Sequence, residues 1–291
     1  RDCIELLDKE RVSIKNRKYK NKIVKYKPVQ YNRNKQQEIS VKVKNLEQLE
    51  SALECGLDRI YYEDTNTIDK AMRLAMKYNK KVIYSAPRII RNKEYNHLAK
   101  ANNAGVESVQ VGNYGSIDYF KDKKLNIDYY LNAFNSETIN YYKEIGADTL
   151  CISQELNINE IKETIKYTDI NIESVVYGYT PLMITEYCPM GVIVRDCKKD
   201  KRVAKCKESI YALRNSKGDE FRVSQDIFCR STIYNSNVTC MLDNLYELHE
   251  IGINVLRLDF TLEDKETVKE VIEAYQEVLS NDYKLATKAT K

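Results

Sequence analysis

The feature that most constrains the fold is an alternation of short β-branched or aromatic runs with amphipathic segments, which begins at residue 39 and recurs eight times. The amphipathic segments carry apolar residues at helical spacing, and three of them end in Gly56, Gly105 and Gly146, which suit the left-handed position after a helix. Such alternation builds parallel strands with crossover helices, and eight units favour closure into a barrel. The sequence therefore predicts an α/β fold, a (β/α)8 TIM-like barrel, with strands at 39–43, 59–63, 81–87, 108–113, 127–134, 149–155, 170–178 and 254–260.

The connection between the last two strands is much longer than the others. Residues 179–253 separate them, whereas an ordinary barrel connection is a few residues plus a helix. We therefore predict a barrel domain at 38–291 that contains a cysteine-rich insertion at 181–250 between strands 7 and 8. The insertion should emerge at the carboxyl-terminal face, where barrel enzymes build their active sites. Within it, residues 209–226 predict a hairpin, and residues 239–252 predict a helix with Cys240 at its start.

The amino-terminal segment differs from the rest in its charge. Residues 1–37 carry 12 Lys or Arg against 4 Asp or Glu and no sustained apolar period beyond one short turn. We interpret them as a basic linker or arm to a domain missing from this chain, in preference to an arm whose Tyr19 and Tyr26 stack on RNA bases. The formal net charge of the whole chain is only +4 and does not argue for nucleic acid.

The sequence also bounds the compartment. No run approaches the roughly 18 apolar residues of a membrane span, and no signal peptide is recognisable. We therefore expect no membrane contact and a cytoplasmic location. Thiols stay reduced there, so the eight cysteines are expected to be ligands or buried small side chains rather than disulfides.

Five cysteines lie close together in the predicted insertion: Cys188, Cys197, Cys206, Cys229 and Cys240. Their spacing lacks the paired knuckles of a zinc ribbon, and no histidine lies near enough for a mixed site. A site with only thiolate ligands and long loops suits an iron-sulfur cluster, which takes four cysteines from wherever the fold delivers them. Zinc, and cysteines that simply pack in the core, remain the alternatives at this point.

Charged residues in the last two strand candidates are the candidate catalytic groups. Glu173 lies in strand 7, and Arg257 and Asp259 lie in strand 8. If they point into the barrel near its active face, each needs a partner or a catalytic role, and an ion pair between Arg257 and Glu173 is an equally good interpretation. His97 and His249 show neither metal nor triad spacing, and we expect packing roles for both. No Ser-His-Asp or Cys-His constellation is predicted, although a cysteine nucleophile with an acidic partner stays open.

At Glu173 the sequence resembles the signature of the collagenase-like peptidases, peptidase family U32. Glu173, Gly178 and Cys188 keep the spacing of that signature, with Val175 and Tyr177 at its Phe and His positions. The resemblance extends through CGLDRIYYE (55–63), DIFCRSTIYNS (226–236) and GINVLRLDF (252–260). Two departures are Glu186, where the family has Gly, and Pro181, where it has an earlier Cys.

The resemblance implies two kinds of activity. The family name implies peptide hydrolysis, whereas relatives include proteins needed to hydroxylate RNA and ubiquinone, some with a four-iron cluster on four cysteines. Cys188, Cys197 and Cys206 match the family's early cysteines, and Cys229 is favoured over Cys240 as the fourth ligand. We therefore expect a 4Fe-4S enzyme (alternatively a zinc protein) that supports hydroxylation of RNA or a small aromatic acceptor. The alternatives are a peptidase acting on a peptide substrate and a cluster- or zinc-stabilised binding scaffold.

Overall fold

A computed structural model describes residues 2–13, 27–29, 36–194, 211–281 and 283. Eight parallel strands form a closed barrel in which strands adjacent along the chain pair with each other. The last barrel strand pairs with both the first and the seventh. This confirms the predicted (β/α)8 barrel. Its strands are β1 Glu38–Val43, β2 Arg59–Tyr62, β3 Val82–Ser85, β4 Ser108–Val111, β5 Lys124–Ile127, β6 Ala147–Cys151, β7 Asn171–Thr185 and β11 Val255–Asp259.

Helices cover the outside of the barrel, and asparagine or aspartate starts several of them. The side chains of Asn45, Asn113, Asn135 and Asp264 each accept an N–H of the first turn, which satisfies a donor that the helix leaves without an internal partner. The helices are α1 Asp2–Val12, α2 Leu46–Glu54, α3 Ile68–Lys77, α4 Tyr95–Asn103, α5 Tyr114–Tyr119, α6 Ser136–Glu144, α7 Ile158–Ile165, α8 Pro189–Val194, α9 Leu245–Ile251 and α10 Lys265–Ser280. Among the described residues, none of these helices is both long enough and apolar enough to cross a membrane.

The segment between β7 and β11 begins as a continuation of barrel strand β7. β7 has 15 residues; its first half pairs in parallel with β6 and β11, and its second half pairs antiparallel with β10 (Ser231–Cys240). β10 in turn pairs with β9 (Glu220–Gln225), which forms the predicted hairpin with β8 (Tyr211–Arg214). The small antiparallel sheet is therefore continuous with the barrel at its carboxyl-terminal face.

Two predicted elements have different bounds in the structure. The strand expected at 127–134 lies instead at Lys124–Ile127. It ends there because the Asp128 carboxylate accepts the N–H of Tyr129 and a 3₁₀ turn follows to Leu131. Cys240 ends strand β10 rather than starting a helix, and α9 begins only at Leu245. In the basic arm, α1 is a longer exposed helix than the short turn expected, and Tyr19 and Tyr26 lie outside the described residues.

The two sides of each barrel strand have different characters. In β1, Ile39, Val41 and Val43 are buried in the apolar layer shared with the helices. Because side chains alternate along a strand, Ser40 and Lys42 point to the other side, into the barrel. The barrel interior is therefore polar, and Lys42 places its charge near the carboxyl-terminal mouth of the barrel.

Candidate active site

A buried guanidinium lies at the centre of the polar interior. Arg257 of β11 is 0% exposed, and it donates through Nη2 to Asp128 Oδ1 at 2.9 Å and through Nη1 to Glu173 Oε2 at 3.2 Å. Its Nη2 also donates to Asp259 Oδ2 at 3.1 Å. Nε lies 2.7 Å from Asp259 Oδ1 but is not aligned for a hydrogen bond, so the directed bond to Asp259 is the one from Nη2. Three carboxylates from β5, β7 and β11 thus share one arginine.

The carboxylates of Asp128 and Glu173 have different environments. Burial would raise the pKa of Asp128, but Arg257 and the Lys42 ammonium, 3.4 Å away, hold it below its ordinary value. Burial raises the pKa of Glu173 above its ordinary value despite Arg257 and two hydroxyl donors, Ser40 at 2.6 Å and Tyr61 at 3.0 Å. Asp128 therefore has the stronger ionic partners, whereas Glu173 depends more on neutral ones.

A cleft with about 840 Å³ of empty space, part of it open to solvent, lies above this network. The barrel strands form its floor and sides, and β7, β9 and β10 cover it, so it lies at the face where barrel enzymes place their sites. Of the three predicted catalytic residues, Asp259 lines the cleft, whereas Glu173 and Arg257 are buried beneath it. Other lining residues include Lys42, Lys44, Arg88, Tyr129, Tyr130, Tyr179, Ser224, Asp226 and Tyr234.

Cations lie over tyrosine rings around the cleft. The guanidinium of Arg88 is 4.1 Å from the centroid of Tyr130, and Lys42 Nζ is 5.7 Å from the same ring. Lys44 Nζ lies 5.3 Å from the ring of Tyr234. These contacts suit cation–π attraction, and the cleft combines positive charge with flat aromatic surfaces.

Two of the predicted cluster cysteines lie at the same end of the antiparallel sheet. Cys188 follows the end of β7, and its half-buried Sγ accepts Gln225 Nε2–H at 2.6 Å and Gly191 N–H at 3.2 Å. Cys229 occupies the turn between β9 and β10 in a left-handed conformation, φ 63°, and its N–H donates to Asp226 O at 3.1 Å. Pairing of Ser231 with Thr185 brings the two flanking segments together. Asp226 lines the cleft, so this end of the sheet adjoins it.

Cys240 lies at the other end of β10. It is exposed and pairs with Tyr177 inside the barrel half of β7. Nine residue steps of a strand span roughly 25–30 Å, so Cys240 is far from the turn that carries Cys229. Cys197 and Cys206 lie outside the described residues, and the described ones contain no group of three or more His, Cys, Asp or Glu arranged to hold a metal ion.

A second buried arginine fixes the turn that carries Cys229. Arg230 donates through Nη2 to both carboxylate oxygens of Glu94 at 2.6 and 2.8 Å, and through Nε to Glu186 Oε1 at 2.8 Å. Its Nη1 reaches the carbonyl of Ile89 at 3.2 Å. Glu186, which departs from the family signature, thus has a structural partner. Arg230 joins the turn to the end of β7 and to the segment between β3 and α4.

The two histidines and Cys151 have packing environments. His97 lies against Phe228, with ring centroids 4.7 Å apart, so it is close in space to the Cys229 turn although distant in sequence. This contact agrees with the packing role expected for His97. His249 lies 5.4 Å from the ring of Tyr283. Cys151 is fully buried, and burial raises the pKa of its thiol well above the ordinary value.

Sequence reasoning missed several residues of the cleft. Lys42, Lys44 and Asp128 lie at or just after the carboxyl-terminal ends of β1 and β5. The rule that barrel sites form at these ends could have identified them. Arg230 gave no such signal, because its carboxylate partners are distant in the sequence.

Known proteins similar to this chain were found by sequence and by structure. The family profile of peptidase family U32 matches residues 44–290. Two curated Bacillus subtilis proteins are similar: tRNA hydroxylation protein P2 is 26% identical over 73% of this chain and 72% of its own length, and tRNA hydroxylation protein P1 is 20% identical over 84% and 63%. A solved structure, the U32 peptidase Mk0906, aligns with a TM-score of 0.48 at 11% identity, over 84% of this chain and 97% of that one. Because the profile spans nearly the whole barrel, the chain belongs to peptidase family U32.

Proposed function

We propose that this chain is an enzyme that supports hydroxylation of an RNA base, with tRNA as its substrate. Its barrel-mouth cleft, where cations and tyrosines adjoin the Cys188 and Cys229 end of the sheet, carries the proposal. Positive charge attracts a nucleic-acid backbone, and aromatic rings stack on unpaired bases. Both curated relatives are named for tRNA hydroxylation, which directs the proposal to tRNA.

A 4Fe-4S cluster is the cofactor we propose for this reaction. Cys188 and Cys229 lie at one end of the sheet, and the two N–H groups directed at Cys188 Sγ suit a thiolate ligand. Cys197 and Cys206 of the predicted set would supply the other two ligands. The distant Cys240 fits this set poorly. A cluster held there would supply one-electron chemistry next to the cleft.

The residues of the cleft would bind and orient the substrate. Asp259 presents its carboxylate to the cleft while Arg257 holds it from below, so Asp259 is placed to exchange a proton with a bound base. Burial alone would lower the pKa of Lys42, but Asp128, Glu63 and Asp259 raise it above its ordinary value, so its ammonium stays charged. Glu173 and Arg257 act as positioning residues beneath the cleft. The predicted catalytic role of Glu173 thus becomes an indirect one.

Peptide hydrolysis has less support from the described residues. An activated nucleophile needs an adjacent base, yet His97 and His249 pack against aromatic rings, and the Cys151 thiol is buried with a raised pKa. A binding scaffold without catalysis would not require the buried charges beneath the cleft, which are costly to keep in a protein interior. A small aromatic substrate stays an untested prediction.

The proposed activity can be tested in a Bacillus subtilis strain that lacks tRNA hydroxylation proteins P1 and P2. This chain would be expressed there, and the nucleosides of total tRNA would be measured by mass spectrometry. We expect a nucleoside carrying one additional oxygen to reappear with the wild type and to be lost with Asp259→Asn. Asp219→Asn, a change in the exposed hairpin tip, is the matched control and should behave as the wild type. Absence of the oxidised nucleoside with soluble, iron-loaded wild-type protein would overturn the proposal.

A further inference from the structure

Lys44 is a cation of the cleft that has only neutral hydrogen-bond partners. Its ammonium donates to Ser224 Oγ at 3.0 Å and to Tyr234 Oη at 2.9 Å. No described carboxylate lies within the 4.0 Å of an ion pair with it. An ammonium has three N–H donors, and the third one of Lys44 has no acceptor among the described residues, so it is available to an anion bound in the cleft. Ser224 belongs to β9 and Tyr234 to β10. Lys44 thus connects the barrel to the antiparallel sheet of β8, β9, β10 and the second half of β7, which is called the covering sheet below.

Arg88 is a second cation of this kind. Its guanidinium stacks 4.1 Å from the ring centroid of Tyr130, and it has no ion pair or side-chain hydrogen bond with the described residues. Stacking on the ring fixes the guanidinium plane and leaves the N–H groups at its edge available. This arrangement suits a flat, two-pronged contact with an oxyanion.

The carboxylates that line the cleft form no ion pair with Lys44 or Arg88. Asp226 is bound by Arg230 at 3.4 Å, and Asp259 is bound by Arg257. Glu63 also lines the cleft, but no ion pair joins it to either cation. Lys44 and Arg88 can therefore both bind an anionic group of a ligand, such as a phosphodiester.

We propose that Lys44 and Arg88 form a phosphodiester subsite that binds the RNA backbone next to the nucleotide held in the cleft. The proposal rests on the proposed function, because RNA is the ligand that brings a phosphodiester to the barrel mouth. Lys44 would gain its anionic partner through its third N–H, and Arg88 would bind two phosphate oxygens. The covering sheet would be held on the barrel by the same lysine.

The test uses the purified full chain and two uridine trinucleotides, one natural and one with neutral methylphosphonate linkages. We expect the wild type to bind the natural one roughly tenfold more tightly, since a hydrogen bond to a charged group contributes about 1.5–3 kcal/mol. Lys44→Met and Arg88→Gln should each weaken binding of the natural trinucleotide and leave binding of the neutral one unchanged. Each should also reduce the slope of log affinity against log salt by about 0.7. Lys81→Met, at an exposed ion pair with Glu107, is the control.

Equal affinity of the wild type for both trinucleotides would overturn the subsite. So would variants that keep the full preference for the charged linkage. Arg88 is exposed, so Arg88→Gln should fold even if Lys44→Met does not, and thermal unfolding of both distinguishes lost contacts from lost structure. A wild type that shows the charge preference but restores no tRNA oxidation in cells would contradict the proposed function and leave the subsite standing.

Discussion

At the scale of single residues, the three carboxylates around Arg257 are not equivalent. Asp128 has two cations, Arg257 and Lys42, whereas Glu173 has Arg257 at 3.2 Å and two hydroxyl donors. Losing a carboxylate that balances two buried cations leaves unpaired charge in the barrel. Losing the charge of Glu173 removes an anion whose burial is only partly compensated. The two positions should therefore respond differently to the same amide substitution.

We expect Asp128→Asn to lower the free energy of unfolding at pH 7 by about 3 kcal/mol, because Lys42 would lose its ion-pair partner and Arg257 would lose one of its three carboxylates. Glu173→Gln should change it by no more than about 1 kcal/mol, since the amide oxygen can still accept from Ser40 and Tyr61. Urea unfolding of both variants and the wild type measures this difference. Equal losses from the two variants would contradict the unequal environments.

The carboxylates of Asp128 and Glu173 should make the free energy of unfolding depend on pH in opposite directions. The folded-state pKa of Asp128 lies below its unfolded value, so its stabilisation is present above about pH 4 and is lost as the pH falls. The deficit of Asp128→Asn relative to the wild type should therefore shrink below about pH 4. The folded-state pKa of Glu173 lies above its unfolded value, so ionised Glu173 weakens folding, and Glu173→Gln should gain on the wild type as the pH rises above about 4.5. Unfolding measured from acid to neutral pH tests both signs.

Gly178 is a position where the backbone of β7 needs glycine. Its φ is +135°, and a Cβ atom there would lie 2.5 Å from the carbonyl oxygen of Asp259. Gly178→Ala should therefore cost at least about 3 kcal/mol and displace Asp259 from the cleft floor. Gly218→Ala is the matched control: its φ is +92° at the hairpin tip, where nothing lies within 4 Å of the added atom, so only about 1 kcal/mol should be lost. Thermal unfolding ranks the two, and equal losses would show that the contact with Asp259 is unimportant.

At the scale of elements, Arg230 connects the covering sheet to the barrel. Its side chain is 1% exposed, and it joins the turn between β9 and β10 to Glu94, which precedes α4, and to Glu186 after β7. Because Cys229 is its neighbour, the position of that cysteine depends on these bonds. Arg230 is therefore a positioning residue for the end of the sheet that carries Cys188 and Cys229.

We expect Arg230→Gln to leave the barrel folded, to expose the turn between β9 and β10 to limited proteolysis, and to lower the iron content of anaerobically purified protein. Arg230→Lys should rescue only partly, because the single nitrogen of an ammonium cannot replace the three guanidinium nitrogens that reach Glu94, Glu186 and the carbonyl of Ile89. Arg214→Gln, an exposed change in the same hairpin (71% side-chain exposure), should match the wild type in both measurements. An Arg230→Gln protein with normal iron and normal protease resistance would refute the positioning role.

Most elements could be predicted from periodicity alone, and the failures have a local cause. The strands near 39–43 and 254–260 were found because their alternation is strong and their buried faces are β-branched or leucine-rich. The strand expected at 127–134 lies at 124–127, because the Asp128 side chain caps a turn directly after Ile127, and a cap of this kind competes with the strand pattern. Cys240 lies in a strand because β10 extends along β7, and that pairing is not encoded in the helix-like spacing after it.

At the scale of the whole molecule, the closed barrel could be predicted from the eight strand-and-helix units of the sequence. The residues that come together in the candidate site could not be predicted in this way. Lys44 meets Ser224 and Tyr234 across 180 and 190 residues of sequence, and Arg230 meets Glu94 across 136. Such contacts depend on how the covering sheet folds over the barrel mouth. The candidate residues Glu173, Arg257 and Asp259 could be chosen because they lie in strands, whereas which of them reaches the cleft required the three-dimensional arrangement.

The placement of the cysteines gives the last prediction. Cys188 and Cys229 lie at the end of the sheet that holds the turn between β9 and β10, and Cys240 lies at the opposite end of β10, paired with Tyr177. Cys188→Ser and Cys229→Ser should each abolish the broad visible absorbance and most of the iron and sulfide, expected at about four of each per chain, whereas Cys240→Ser should retain them. Anaerobic purification, metal analysis and electron paramagnetic resonance of the reduced protein measure the outcome. Stoichiometric zinc in a colourless wild type, or loss of iron from Cys240→Ser but not from Cys229→Ser, would refute the ligand assignment.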